Sequence, residues 1–195
     1  LAELFFNSGR YNEAAKAYDN ALKINRSHSH SWQRLGEMLK LSNRLDEAAV
    51  AYGQLNTLIP DNTENAVIEA DLLEKTGKYE KSKEIYSRLI KDDPKNIDYL
   101  IALARIQNVL GEYDESAAVS RSALLINQSN ADVWANLGYS YANMKKFDAS
   151  FDAFNKSLKI EPDDPITITN VGYLLMQAGR YQEALYRFDN ATRID

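Results

Sequence analysis

Apolar residues recur along this chain every three or four positions, in pairs of stretches separated by short polar breaks. Trp134 and Leu137 share one such stripe, and Phe147 and Phe154 share the next. This spacing predicts amphipathic helices, each of which buries one face. Because no stretch alternates in the manner of a half-buried strand, we predict an all-α fold.

The two-helix pattern repeats every 34 residues. Trp32 and Trp134 lie three such periods apart. Whole numbers of the same period also separate three glycines from one another and three prolines from one another: Gly77, Gly111, Gly179, Pro60, Pro94 and Pro162. A period in this range is typical of stacked supersecondary units. We therefore expect one array over 1–195, with a partial repeat at 1–28, full repeats at 29–62, 63–96, 97–130 and 131–164, and a partial repeat at 165–195. The incomplete end repeats predict a piece of a longer protein.

The polar breaks contain residues that end and begin helices. Glycine, which adopts the left-handed conformation at the lowest cost, occupies the turn inside most repeats, while Asn43 and Lys145 stand in the same slot. Lys145 is an exception to this rule. The slot before each first helix holds an N-cap residue: Asn62, Asn96, Asn130 and Asp164. Turns this short predict that consecutive helices run antiparallel.

Two slots of the repeat hold only small residues. The eighth is Ala2, Gly36, Ala70, Ala104, Gly138 and Gly172, and the twentieth is Ala14, Ala48, Ser82, Ser116, Ser150 and Ala184. Small residues at regular positions on both helices of a pair predict that the two backbones cross closely there, so that larger side chains would overpack the contact.

These residues resemble the tetratricopeptide repeat, whose pattern is W-x2-L-G-x2-Y, then A-x3-F, then P. The fifth repeat matches it with Trp134, Leu137, Gly138, Tyr141, Ser150, Phe154 and Pro162, and the resemblance extends over the whole chain. It implies a right-handed α-solenoid of antiparallel helix pairs, the tetratricopeptide superhelix, whose first helices line a concave groove. The function implied is a noncatalytic protein-interaction scaffold that binds an extended peptide or a partner helix.

The groove positions of two successive repeats carry the same series of an amide, a tyrosine and an amide. This series is similar to the asparagine ladder of the repeat domain of O-linked N-acetylglucosamine transferase, in which amides hold the backbone of an extended peptide. One side-chain amide both donates and accepts hydrogen bonds. The same residues also suit an ordinary half-buried helix face. The candidate peptide-binding residues are Asn136, Tyr139, Asn143, Asn170, Tyr173, Gln177 and Arg105.

Composition narrows the ligand class. A net charge of −5 and a pI of about 5.2 argue against nucleic acid as a partner. The chain has no Cys, and its two histidines, His28 and His30, lack neighbouring ligands for a metal. No catalytic constellation is present, so we expect neither enzyme activity nor a cofactor. No apolar run is long enough to span a membrane, and we expect a cytoplasmic protein.

Two alternatives remain open from the sequence. The chain is either the substrate-recognition arm of a larger enzyme such as a glycosyltransferase, or a self-stacking structural spacer. The second alternative predicts end-to-end self-association through the C-terminal repeat, because no polar capping helix follows it within the chain.

Overall fold

The computed structural model describes residues 1–194, and within this range it consists of twelve α-helices without a β-strand. The helices are α1 (Ala2–Asn7), α2 (Tyr11–Ile24), α3 (Ser29–Leu41), α4 (Leu45–Leu58), α5 (Thr63–Lys75), α6 (Tyr79–Asp92), α7 (Ile97–Leu110), α8 (Tyr113–Ile126), α9 (Ala131–Asn143), α10 (Phe147–Ile160), α11 (Pro165–Gln177) and α12 (Tyr181–Ile194). The predicted all-α fold of antiparallel helix pairs is confirmed.

The helices belong to two compact units, Leu1–Leu89 and Ile90–Asp195. The core of the first unit combines small, aliphatic and aromatic side chains such as Ala48, Leu55 and Tyr52. In the second unit, each helix from α7 to α11 contacts the helix that follows it, and α9 also contacts α7 and α11. Each unit therefore buries its apolar stripes between neighbouring helices. The expectation of a single array with the stated repeat boundaries stays a prediction.

The first helix of a repeat begins after a residue whose side chain accepts a backbone hydrogen bond, as α5, α7, α9 and α11 show. Asn62, Asn96 and Asn130 each accept a hydrogen bond from the backbone N–H three residues later, at distances of 2.9, 3.3 and 3.0 Å. Asp164 accepts from two backbone N–H groups, those of Ile166 and Thr167. These contacts satisfy N–H groups that would otherwise lack partners within the helix. The predicted N-caps are confirmed.

The turn inside each repeat requires a left-handed residue even where glycine is absent. Gly111 has φ +79°, and Lys145 occupies the same slot with φ +60°. The N–H of Lys145 donates to Ala142 O and the next N–H donates to Tyr141 O, at 3.0 and 2.9 Å. Gly111 forms the equivalent pair of bonds. The hydrogen-bonded turn therefore imposes the conformation on Lys145, which accounts for this exception to the glycine rule.

The small slots mark close crossings within a helix pair, as predicted. The hydroxyl of Ser150 donates to the carbonyl oxygen of Gly138 at 2.7 Å, so a side chain of one helix contacts the backbone of the other. Ser116 and Ala104 form the same bond at 2.8 Å. A Cβ atom added to Gly138 would lie 2.7 Å from the ring of Phe154. The lack of a side chain at Gly138 therefore makes room for an aromatic ring.

The two tryptophans anchor junctions between repeats. The indole N–H of Trp32 donates to the carbonyl oxygen of Arg26 at 2.8 Å, and that of Trp134 donates to the carbonyl oxygen of Gln128 at 2.9 Å. In both junctions, the residue that accepts the bond replaces the proline of the repeat pattern. Proline would fix the backbone φ angle at this position. In these two junctions, which lack proline, the indole hydrogen bond instead fastens the backbone to the next helix.

Candidate functional site

A groove in the second unit is lined by the first helices of three successive repeats, α7, α9 and α11. It contains two clefts. The large cleft, of about 620 Å³, has walls from all three helices, and the small cleft, of about 270 Å³, lies chiefly between α9 and α11. Tyr139 and Asn170 line both clefts. The two clefts are therefore adjoining and share part of one wall.

All seven residues predicted from the sequence line these clefts. The large cleft is lined by Arg105, Asn136, Tyr139 and Asn170 among others. The small cleft is lined by Tyr139, Asn143, Asn170, Tyr173 and Gln177 among others. The structure thus brings the predicted residues together at one surface, and their role in binding stays a prediction.

The two amides of the sixth slot are half-buried and unused by the fold. The side chains of Asn136 and Asn170 form no hydrogen bond with any other residue in 1–194. Asn143 differs, because its Nδ2 donates to the backbone oxygen of Tyr139 at 3.0 Å. This bond orients the Asn143 side chain and leaves its Oδ1 as an acceptor. The groove therefore presents both donors and acceptors to a ligand.

The two tyrosines of the groove are supported from one side by other rings. Tyr139 packs against Tyr113 with ring centroids 6.4 Å apart, and Tyr173 packs edge-to-face against Phe188 at 5.2 Å. Tyr139 is nevertheless 39% exposed and Tyr173 is 52% exposed. Each side chain therefore offers a ring face held in place by aromatic packing.

A buried polar network lies beneath the large cleft. The hydroxyl of Ser140 donates to Oδ1 of Asn108 at 2.7 Å, and its oxygen lies 3.0 Å from Oγ of Ser116. Nδ2 of Asn108 donates to the backbone oxygen of Asn136 at 3.1 Å. The network thus connects α7, α8 and α9, and it includes the backbone oxygen of Asn136, whose side-chain amide is unused.

This network was not predicted from the sequence, although one residue of the repeat pattern indicated it. Ser140 occupies the tenth slot, in which the other repeats have large aliphatic residues: Leu4, Met38, Leu72, Ile106 and Leu174. All of these except Leu4 are buried, and a serine at such a position needs a polar partner. The partner is Asn108, which lies 32 residues away and is brought into contact only by helix stacking.

The charged groups of the groove belong to the large cleft, which is lined by Arg105, Asp132 and Asp164. The carboxylate of Asp164 already accepts the two N–H bonds at the start of α11. None of the described residues that line the small cleft is charged. The two clefts therefore differ in charge as well as in volume.

In the first unit, the sixth slot of the repeat 29–62 is occupied by an ion-paired arginine and that of the repeat 63–96 by Ile68. Arg34, at the sixth slot of its repeat, pairs with Glu3 at 3.0 Å and with Glu37 at 2.6 Å. A hydrogen bond from Tyr18, and to a smaller extent one from Arg34, holds the pKa of the Glu3 carboxyl below its usual range. These carboxylates are therefore engaged by groups within the first unit, and the amide series does not extend into it.

Three family models match parts of this sequence. Models described as tetratricopeptide repeat match residues 1–55, 39–106 and 131–164, which together comprise most of the chain. The chain belongs to the tetratricopeptide repeat family. Its helix pairs, N-caps and small slots are those of tetratricopeptide repeats, and the resemblance seen in the sequence is confirmed. No curated protein sequence matches the chain significantly.

Solved tetratricopeptide structures share the fold. A structure of MamA from MSR-1 is 25% identical, with a TM-score of 0.66 over 86% of this chain and 96% of that one. A tetratricopeptide repeat protein from Parabacteroides merdae ATCC 43184 is 17% identical, with a TM-score of 0.82 over 100% of this chain and 77% of that one. YrrB, described as a tetratricopeptide protein with an unusual peptide-binding site, is 17% identical, with a TM-score of 0.63 over 93% of both chains. This tetratricopeptide chain thus shares its fold with other tetratricopeptide proteins.

One of the two histidines of this tetratricopeptide chain serves as a helix cap. His28 caps α3, its Nδ1 accepting from the N–H of Ser31 at 3.3 Å. Residues 1–194 contain no group of three or more His, Cys, Asp or Glu side chains arranged to hold a metal ion. Over the same range no helix is both long and apolar enough to cross a membrane.

Proposed function

We propose that the groove of the second unit binds an extended peptide segment of a partner protein. The observation that supports this most directly is the pair Asn136 and Asn170. Both amides line the large cleft, recur at the same slot of successive repeats and have no hydrogen-bond partner within 1–194. An amide that both donates and accepts matches the alternating N–H and C=O groups of an extended main chain.

The exposed ring faces of Tyr139 and Tyr173 add apolar contact beside these amides. Aromatic side chains bury a large area while they lose few rotamers, which makes them effective in peptide contacts. Each amide bond contributes about 0.5 to 1.5 kcal/mol net, and association itself opposes binding. We expect micromolar affinity unless further repeats engage the same ligand.

The charge of the chain supports a protein partner over a nucleic acid. The net charge is −5, and the large cleft is lined by one arginine and two aspartates rather than by a basic stripe. The proposed role is noncatalytic binding. The same groove would select a substrate segment if the chain forms the recognition arm of a larger enzyme.

The amide pair provides the first test. Asn136→Ala combined with Asn170→Ala should weaken peptide binding about tenfold, because up to two amide hydrogen bonds to the ligand main chain are lost. We would titrate the protein against a diverse library of short peptides by fluorescence anisotropy. The fold should be unaffected, since neither amide bonds within the described residues.

Asn12→Ala combined with Asn155→Ala is the matched control, because both asparagines are exposed and lie on second helices outside the groove. This control should bind as tightly as the parent. Equal affinity of the groove variant and the parent for their best peptide would refute the amide assignment. Failure of the parent to bind any peptide would refute the proposed function.

A second candidate function is contact between copies of the chain through α12. Tyr181, Leu185 and Tyr186 on this helix are 68, 61 and 66% exposed. Adjacent large apolar side chains with this exposure favour association. We expect the apparent mass to rise with concentration in sedimentation velocity, and Leu185→Lys with Tyr186→Lys to abolish the rise.

Val50→Lys controls for the added charge in this experiment. Val50 occupies the same slot of its repeat as Tyr186 does, and it is 60% exposed on α4. This variant should associate as the parent does. A parent that sediments as a monomer at every concentration would rule out the α12 contact.

A further inference from the structure

We infer that the groove selects a bipartite segment, with a large apolar side chain in the large cleft and an uncharged hydrogen-bonding side chain in the small cleft, two residues apart. The inference rests on the proposed function and specifies its ligand. It follows from three features of the two clefts: their linings, their volumes and the wall they share.

The large cleft suits an apolar side chain. Ile101 and Val109 of α7, Ala135 of α9 and Ile166 of α11 lie around it, so all three helices contribute aliphatic surface. Val109 and Ile166 are exposed without a ligand. A volume of about 620 Å³ falls in the range of ordinary ligand pockets, roughly 300 to 1,000 Å³. Burial of aliphatic or aromatic groups here removes apolar surface of both partners from water.

The small cleft suits an uncharged polar side chain. Its walls include the amides of Asn143, Asn170 and Gln177, and its volume is about 270 Å³, less than half that of the large cleft. Nδ2 of Asn143 uses one of its two hydrogens within its own helix, so its Oδ1 and one N–H remain for a ligand. Asn, Gln, Ser and Thr side chains can donate to this oxygen. A charged side chain would lose water without gaining an opposite charge among the lining residues.

The shared wall determines the spacing. Tyr139 and Asn170 line both clefts, so the two sites adjoin at these residues. In an extended chain, alternate side chains point to the same face and lie about 7 Å apart. Residues i and i+2 therefore enter adjoining clefts, while residue i+1 points away from the groove. A helical ligand would instead present residues three or four apart.

Two substitutions on α9 test the clefts separately. Ala135→Ile narrows the large cleft and copies Ile101, the residue at the same slot of the preceding repeat. Ala142→Met narrows the small cleft and copies Met176, the residue at the same slot of the next repeat. Because the repeats already accommodate these side chains at these slots, both variants should fold. Circular dichroism would verify this.

The probe is a library of short capped peptides in which one apolar and one polar residue are placed one, two, three or four positions apart. The parent should prefer the two-residue spacing. It should also bind Asn, Gln, Ser or Thr at the polar position about tenfold more tightly than Lys or Glu. Ala142→Met should remove the preference at the polar position only, and Ala135→Ile should remove the preference at the apolar position only.

Each outcome bears on one of the two proposals. A parent that binds the library without regard to spacing or residue type overturns the bipartite inference and leaves groove binding intact. A preference for a spacing of three or four residues also overturns it, in favour of a helical ligand. Loss of both preferences in both variants overturns the assignment of one site to each cleft. A parent that binds no peptide overturns the proposed function itself.

Discussion

Gly138→Leu should lower the free energy of unfolding by about 3 kcal/mol, the upper part of the usual range for overpacking. A Cβ atom at this position would already lie within 2.9 Å of three ring atoms of Phe154. Phe154 is 1% exposed and packs in the core with Val171 and Leu174, so its ring has little room to move. Urea unfolding followed by circular dichroism would measure the loss.

Gly172→Leu supplies the comparison for this prediction. Gly172 faces Phe188 in the same geometry, but Phe188 is only half-buried and can turn outward. Gly172→Leu should therefore lower the free energy of unfolding by less, about 1 kcal/mol. In the Gly138→Leu background, Phe154→Ala should cost much less than it does in the parent. Additive costs in this double-mutant cycle would contradict the close contact between Gly138 and Phe154.

Asn108→Ala should lower the free energy of unfolding by about 2 kcal/mol, because it removes one buried and one partly buried hydrogen bond and leaves a cavity. The bonds lost are those to the Ser140 hydroxyl and to the backbone oxygen of Asn136. The next pair of first helices has Ala142 and Leu174 at the corresponding slots, and both contribute to one apolar cluster.

Ser140→Leu should therefore restore most of the stability that Asn108→Ala removes, since the double variant copies the pair Ala142 and Leu174. Replacement of both polar partners by apolar groups of fitting shape is far less costly than removal of one. Ser116 retains its bond to the backbone oxygen of Ala104 in every variant. Thermal unfolding of the four proteins would measure the coupling, and a double variant less stable than Asn108→Ala would contradict the prediction.

The helices, their caps and the small slots were predictable because they depend on nearby residues. Asn130 caps α9 through the N–H of Val133, three residues later, and this spacing is visible in the sequence. The glycine slot was only partly predictable. Lys145 adopts a conformation that its own side chain does not favour, because the hydrogen bonds of the turn require it.

The candidate site was predictable as a set of positions but not as a shape. The 34-residue period places Asn136 and Asn170 at one slot, which indicated that they face the same groove. It did not indicate that Tyr139 and Asn170 divide the groove into two clefts of different charge and volume. Nor did it indicate that Arg34, at the same slot in the first unit, is held by Glu3 and Glu37.

The helix pairs, their turns and the repeat family could be predicted from the sequence, because periodicity, capping and turn residues act over a few positions. Which polar groups are satisfied internally and which face the groove depends on the packing of helices that are distant in the chain. Asn108 and Asn136 are both asparagines on first helices, yet the side chain of one is buried in a network and that of the other makes no bond within 1–194. Contacts between stacked helices, 28 to 32 residues apart in the chain, make this difference.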